Sequence, residues 1–336
     1  MINLINKNCI FDKKLMIKVG VIGIGHLGSI HLKLLSESNS FKVVGCFDKN
    51  KDLQSHINSE IHFFEDVNKL ITKCDAMFIC SNTPSHYKMA KLCLENKKHV
   101  FIEKPITTNL DEALELIKLA ETNNLIGQVG HVERFNPAIS SVFDIIDNPK
   151  FVECHRLAEF NPRGNDVSVV LDLMIHDIDI VLKLIKSRIK SVSANGVSVI
   201  SDSPDITNAR VEFENGAVAN FTASRISLKN MRKTRLFQNN AYISVDFLEK
   251  KSEVVKISDF IEKIDNYAMV IENSNGQKKQ IYYSNPESKP VNSITEEHND
   301  FAKSIINNTS PLVSFKDGFN ALELATEIIN KVNGNS

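Results

Sequence analysis

The chain has 336 residues, 42% hydrophobic and 24% charged, with a formal net charge of −1. That length exceeds one ordinary domain and predicts two, each able to bury its own core. The balanced charge excludes a polybasic surface for nucleic acid or a membrane, and the composition excludes wholesale disorder.

Residues 1–15 are polar and mixed, with neither an apolar core nor a small-residue cleavage site. They read as a disordered tail or an over-called start, with Met16 as the alternative start. No apolar stretch approaches the ~20 residues that span a bilayer. Cys9, Cys46, Cys74, Cys80, Cys93 and Cys154 are scattered singly, without metal-ligand spacing. Reduced thiols in a cytoplasmic protein, with no metal, are the expectation.

From Met16 to about residue 130, short apolar strands alternate with helical segments. The β-branched run 17–24 ends in glycine, and 26–38 carries Leu27, Ile30, Leu34 and Leu35 at helical spacing. A strand from Phe41 to Phe47 stops at Asp48. A helix near 50–58, a strand at 61–64 and a helix near 66–72 follow. Further strands are predicted at 75–80, 99–102 and 125–130, with helices at 85–96 and 109–123. This alternation predicts a doubly wound parallel sheet, a Rossmann domain over 16–130.

Beyond residue 130 the rhythm changes. Helices are predicted near 136–147 and 168–186, with strands at 150–158, 190–200, 208–214, 216–225, 232–238, 241–247, 252–258 and 268–273. Helices at 293–307 and 317–332 close the chain. Consecutive strands separated by turn signals such as Glu214-Asn215-Gly216 predict an α+β domain over 131–336, built on a large, mostly antiparallel open sheet. Alternating Val211, Phe213, Val218 and Phe221 suggest a face buried by another subunit, hence a homodimer or homotetramer.

Several motifs carry chemistry. Gly23-Ile24-Gly25-His26-Leu27-Gly28 sits where a dinucleotide fingerprint requires, after a strand and opening a helix. Gly23 allows the turn, Gly25 lets the backbone approach a pyrophosphate, and Gly28 lets helix pack on strand. Asp48, closing the second strand, suits ribose hydroxyls and repels a 2′-phosphate, favouring NAD over NADP; adjacent Lys49 softens that preference. Ser81-Asn82-Thr83-Pro84 and Glu103-Lys104-Pro105 lie at carboxyl ends of later strands of the same sheet, where ligands bind. Read alone, the first is a helix cap and the second a surface lysine before a turn proline; His86 reads equally well as an exposed helix residue. In the last motif, Asp172 and His176 share one helix face at i, i+4, with Asp179 three residues on. Polar groups in so apolar a helix are costly unless paired, so a buried structural His–Asp pair competes with a catalytic reading.

Together these elements resemble the Gfo/Idh/MocA oxidoreductases over nearly the whole chain from Met16. Phe213-Glu214-Asn215-Gly216 and Glu297-His298-Asn299-Asp300-Phe301 resemble that family's second domain. Asp166-Val167-Ser168-Val169-Val170 departs from the glycine-rich lead-in of many members. The resemblance implies hydride transfer between a nicotinamide and a sugar or nucleotide-sugar secondary alcohol or ketone. Lys104 would orient cofactor and substrate, His176 would be the general base, and Asp172 would assist it. Gly130-His131-Val132-Glu133-Arg134-Phe135-Asn136-Pro137, with the Asp172 helix, is similar to the branch containing UDP-N-acetylglucosamine 3-dehydrogenases. That likeness makes Arg134, Asn136 and Arg163 candidate substrate contacts; ordinary salt bridges are the other reading of both arginines. Dehydrogenation of polyols or inositols and a non-catalytic dinucleotide-binding regulator are the alternatives. The joint presence of Lys104, Asp172 and His176 speaks against the regulator.

Overall fold

A computed structural model describes residues 16–161, 167–259 and 268–334. The N-terminal fifteen residues and Arg163 lie outside the described residues.

The first sheet starts with β1 (Ile17–Ile22), whose apolar side chains are buried on both faces, as a central parallel strand requires. There follow α1 (His26–Ser36), β2 (Phe41–Phe47), α2 (Val67–Ile71), β3 (Ala76–Ile79), α3 (Thr83–Glu95), β4 (His99–Glu103), α4 (Leu110–Thr122) and β5 (Gly127–Gly130). Their order is β2-β1-β3-β4-β5, every pairing parallel. The order reverses beside β1, so the carboxyl ends of β1 and β3 diverge there and leave a crevice. Two local expectations change. The segment 61–64 is reduced to one parallel bridge, Cys46 to Phe63, and the segment near 50–58 is a 3-10 turn, Lys51–His56.

After β5 the chain makes only a single helical turn, α5 (Pro137–Ser140), where a longer helix was predicted; a 3-10 turn, Phe143–Ile145, follows. Next come β6 (Phe151–Leu157) and α6 (Ile175–Leu184), the latter entered through a π-helical turn, Val170–Met174. The strands β7 (Ile189–Val197), β8 (Ile206–Phe213), β9 (Val218–Ser224), β10 (Met231–Gln238), β11 (Ala241–Asp246), β12 (Lys251–Asp259), β13 (Ala268–Glu272) and β14 (Lys278–Ser284) complete a nine-stranded sheet. Its order is β13-β14-β12-β11-β10-β6-β9-β8-β7, antiparallel except where β6 meets β9. Strand β14 was not anticipated, because Lys278, Lys279 and Gln280 mask its alternation. The last helices are α7 (Ser293–Asn307) and α8 (Phe315–Val332).

One face of the large sheet packs on α6 and α8. Val211, Phe213, Ala219 and Phe221 lie in that core beside Ile178, Val181, Leu324 and Ile328. Val211, Phe213 and Phe221, expected at a subunit contact, are therefore internal to the chain, while Val218, paired with Phe151, lies on the other face. The opposite face is the one that carries exposed apolar groups: Phe237 is opposite Phe151 and Tyr242, Val255 is opposite Tyr283, and Ile281 is opposite Ile257 and Met269.

The C-terminal helices return to the first sheet. Phe301 of α7 joins Phe41, Phe78 and Phe101, all fully buried, each contributing about 1.5–3 kcal/mol by burial. Helix α8 enters both cores, Leu322 with the first sheet and Leu324 with the second. The described cysteines are free, and burial pushes the thiols of Cys46 and Cys74 up to about 11 and about 12. None of the described helices is long and apolar enough to cross a membrane.

Candidate functional site

The glycine loop is shaped by sterics that can be read atom by atom. Gly23 has φ +87°, and a Cβ there would lie 2.4 Å from the backbone nitrogen of Ser81. A Cβ on Gly28 would sit 1.9 Å from the carbonyl oxygen of Gly23. Both glycines are therefore needed by the fold itself. Gly25 differs: a Cβ there would meet nothing within 4 Å. Its lack of a side chain serves no packing among the described residues, and keeps the loop open where a pyrophosphate would approach the start of α1.

A crevice of about 320 Å³ lies over this loop, lined among others by Gly23, Gly25, Asp48, Ser81 and Asn82. Asp48 is half-buried; one carboxylate oxygen accepts the Ile24 N–H at 2.8 Å and the other the Asn50 N–H at 2.9 Å. These bonds aim the carboxylate into the crevice and leave lone pairs for ribose hydroxyls. Asn82 and Ser81 form the opposite wall, and α3 begins at Thr83 with Pro84 in its first turn, where proline's missing N–H costs nothing. His86 is not exposed. It is 1% accessible, with its ring nitrogens 2.8 Å from the Pro105 carbonyl and 2.9 Å from that of Ser81, tying the two ligand-facing loops together. The donor set fits a nicotinamide dinucleotide.

A second cleft, of about 290 Å³, brings together Leu27 of the glycine loop, Glu103, Lys104, Asp172 and His176. His26 points to solvent at the same loop. Lys104 Nζ donates to the Asp172 backbone oxygen at 2.7 Å and lies 3.4 Å from its carboxylate. The π-helical turn matters here. It departs from the regular α ladder, and Asp172, inside it, presents its carbonyl to Lys104. The Lys104–Pro105 peptide is cis.

His176 makes no hydrogen bond with Asp172, so the competing reading as a buried structural pair is not what the fold contains. Its Nδ1 is enclosed and without a partner among the described residues, which leaves Nε2 as the nitrogen open to the cleft. Burial, and then the charge of Lys104, holds the imidazole pKa well below its usual value. At neutral pH the ring is therefore uncharged and able to take a proton.

Behind the cleft runs a buried chain of hydrogen bonds. Glu103 Oε1 lies 2.8 Å from His31 Nε2, and His31 Nδ1 lies 2.8 Å from His298 Nε2. A carboxylate can only accept, so His31 donates from Nε2 to Glu103. Glu103 also accepts the Lys104 backbone N–H at 3.2 Å. The chain thus pins β4, α1 and α7 beneath the lysine.

Arg134 was expected to touch substrate and does not line this cleft. It is 8% accessible, and its guanidinium grips Asp179 with bonds of 2.6 and 2.8 Å. Asn136 is likewise buried, bonded to Glu133 and to the Phe247 carbonyl. Both anchor the loop after β5 against the second sheet. What the motifs did not indicate is a charge cluster on the cleft floor: Arg156 bonds Asp177 at 2.8 and 3.1 Å and Glu133 at 2.9 Å, with Arg232 beside it. Only pairing across strands reveals it. A buried arginine inside the alternating strand 150–158 was its one sequence signal.

Comparison with known proteins accords with this geometry. Residues 17–131 match the oxidoreductase family with an NAD-binding Rossmann fold, and residues 147–243 match the GFO/IDH/MocA C-terminal domain. The chain belongs to the Gfo/Idh/MocA oxidoreductase family. It is an oxidoreductase whose first sheet forms the NAD-binding Rossmann fold. UDP-N-acetylglucosamine 3-dehydrogenase of Acidithiobacillus ferrooxidans is 36% identical over 234 residues, 69% of this chain and 74% of that protein. A solved structure of that enzyme superimposes with a TM-score of 0.85 at 28% identity, covering 96% of this chain and 99% of that one. Myo-inositol 2-dehydrogenase of Thermotoga maritima is 23% identical over 328 residues, 91% of this chain and 93% of that protein.

Proposed function

We propose that this protein is an NAD-dependent dehydrogenase of a nucleotide sugar, acting on the 3-hydroxyl of UDP-N-acetylglucosamine. The observation that carries the reading is the cleft itself, where the Lys104 ammonium, held on Asp172, and the open nitrogen of a neutral His176 line one small space next to the glycine loop. The 36% identity to the Acidithiobacillus enzyme supports the choice of substrate.

Gly23, Gly25, Gly28, Ser81 and Asn82 hold the dinucleotide, and Asp48 selects NAD over NADP by accepting from ribose hydroxyls and repelling a 2′-phosphate. When bound, the nicotinamide supplies a hydride acceptor. Lys104 donates to the substrate hydroxyl oxygen and stabilises negative charge as the proton leaves. His176 Nε2 takes that proton, and Asp172 keeps Lys104 in place. The reverse proton movement serves ketone reduction. Residues 16–130 carry the cofactor and contribute Lys104, and 131–336 carry the remaining substrate contacts. The apolar outer face of the large sheet, where Met269 and Tyr283 are 68% and 58% exposed, pairs copies of the chain into a homo-oligomer. Free, unreactive thiols suit a cytoplasmic setting.

The test is the absorbance of reduced nicotinamide with UDP-N-acetylglucosamine as substrate, coupled to an aminotransferase that removes the ketone. His176→Ala should lower kcat by roughly 10²–10⁴-fold while sparing cofactor affinity. An equal loss of both would contradict its role as base. The full-length likeness to myo-inositol 2-dehydrogenase favours one second reading, a polyol dehydrogenase, and turnover of inositol without turnover of nucleotide sugars would establish it.

A further inference from the structure

The charge cluster on the cleft floor has one member without a partner to match it. In the antiparallel register of β6 and β10, Arg156 and Arg232 stand directly opposite each other. Directly opposed residues share a face of the sheet, and like charges in that position repel. The inner face of this sheet is otherwise apolar where it meets α6 and α8, so two facing arginines there need a reason.

Arg156 has one. Its side chain is 3% exposed and is gripped by Asp177 and Glu133, three bonds at 2.8–3.1 Å. That set satisfies its fork and places it under the cleft as a structural ion pair. Arg232 lies at the start of β10 and lines the cleft. Its side chain is 50% exposed, and its nearest carboxylate oxygen, Glu133 Oε1, is 3.8 Å away. That same oxygen already accepts from Arg156 at 2.9 Å, while Glu133 Oε2 accepts from Asn136. No hydrogen bond engages the five N–H donors of Arg232 among the described residues.

We propose that Arg232 is a substrate-binding residue, its guanidinium fork holding an anionic oxygen group of the substrate while the sugar hydroxyl faces Lys104 and His176. The inference rests on the nucleotide-sugar reading above and adds to it a specificity-determining residue. A neutral polyol has nothing to offer this position, whereas a diphosphate presents paired oxygens that match a planar fork. A carboxylate on the sugar would offer the same chemistry, so the shared requirement is an oxyanion. Arg232 also lines the same cleft as Leu27, Lys104, Asp172 and His176, which puts the anion and the reacting hydroxyl on one ligand. Its charge helps to hold the His176 imidazole neutral.

The experiment compares wild type, Arg232→Gln and Arg232→Lys with NAD and three ligands: UDP-N-acetylglucosamine, free N-acetylglucosamine, and UDP as a competitive inhibitor. Arg232→Gln should raise KM for the nucleotide sugar and the inhibition constant of UDP together, roughly ten- to hundredfold, with kcat changed far less. Arg232→Lys should recover part of that loss, since it keeps the charge and loses the fork. With the neutral sugar the loss in kcat/KM should be far smaller than with the nucleotide sugar. Unchanged KM and unchanged UDP inhibition in Arg232→Gln would overturn the proposal, as would an equal loss with the neutral sugar. Failure of the nucleotide-sugar reading looks different: wild type itself would neither oxidise the nucleotide sugar nor bind UDP. In that event, an Arg232-dependent KM for a sugar acid would keep the oxyanion site and assign it to a carboxylate, and its absence would reject it.

Discussion

The two clefts of this molecule are built on opposite principles. The cofactor crevice is built largely of backbone: three glycines within six residues, Gly23 and Gly28 required by close backbone contacts and Gly25 left open, with a strand end and one carboxylate. The cleft beside it is made of side chains drawn from β4, the π-helical turn, α6, β6 and β10, and held by ion pairs between residues 20 to 50 positions apart or more. A site made from backbone tolerates almost no substitution in its loop but needs little from the rest of the fold. A site made from buried charges depends on the tertiary structure at every member, because each charge left unpaired carries the full cost of its desolvation.

The sharpest way to break this contrast is Arg156→Met. Asp177 and Glu133 would lose their shared partner inside the protein, and the expected loss of stability is about 3–5 kcal/mol, read as a fall in Tm. In protein kept folded at low temperature, NAD affinity measured by fluorescence should be preserved, because the hydrogen bonds of Arg156 run to Asp177 and Glu133 rather than to the glycine loop. A loss of cofactor affinity equal to that of a glycine-loop variant would mean the two clefts are not separable.

Within the loop, Gly28→Ala and Gly25→Ala should behave differently. The first forces a methyl group into the Gly23 carbonyl and is expected to cost about 1–3 kcal/mol or more of stability together with cofactor binding. The second places its methyl group in open space and should change stability by less than about 0.5 kcal/mol while weakening NAD binding. Calorimetric titration beside thermal melts distinguishes the pair. Equal Tm losses for both would show that Gly25 is held by packing rather than kept free for a ligand.

The smallest effect is in pH dependence. Burial and neighbouring cations depress the His176 pKa, so the imidazole stays neutral at pH values where an ordinary histidine is already protonated. A general base works only when unprotonated, so the acid limb of kcat/KM should fall below about pH 6.5. Removing the nearby charge in Arg232→Gln should move that limb upward. A limb at or above the ordinary histidine value in wild type would contradict the enclosed, cation-flanked setting of this ring.

How much could be read from the chain follows from how local each feature is. The strand–glycine–helix unit and Asp48 at the end of β2 depend on neighbours within a few residues, so period and turn chemistry were enough to find them, whereas the lysine before Pro105 stood out only through the family resemblance. The strand 61–64 and the helix 136–147 were over-read for the complementary reason. Their apolar content goes to packing against distant elements rather than to a regular ladder. The open readings of His86 and Arg134 and the expectation for the Val211–Phe213 face share one cause. Residue type says that a group is polar or apolar, while the partner that buries it sits on another element: Pro105 and Ser81 for His86, Asp179 for Arg134, α6 and α8 for the sheet.

The sequence alone determined that a dinucleotide loop exists, which acid closes the second strand beside it, and that a lysine, an aspartate and a histidine occur in an order resembling a hydride-transfer family. Those are statements about short-range geometry, where the covalent chain itself sets the distances. The tertiary structure decided that Lys104 rests on the carbonyl of Asp172, that His176 stands unpaired, and that Arg134 is spent on Asp179. It also left Arg232 half-exposed opposite Arg156, 3.8 Å from a Glu133 oxygen that Arg156 already holds. No periodicity encodes such pairings, because they arise only when the register of β6 against β10 and the seating of α6 bring separate stretches of chain to within one hydrogen bond of each other.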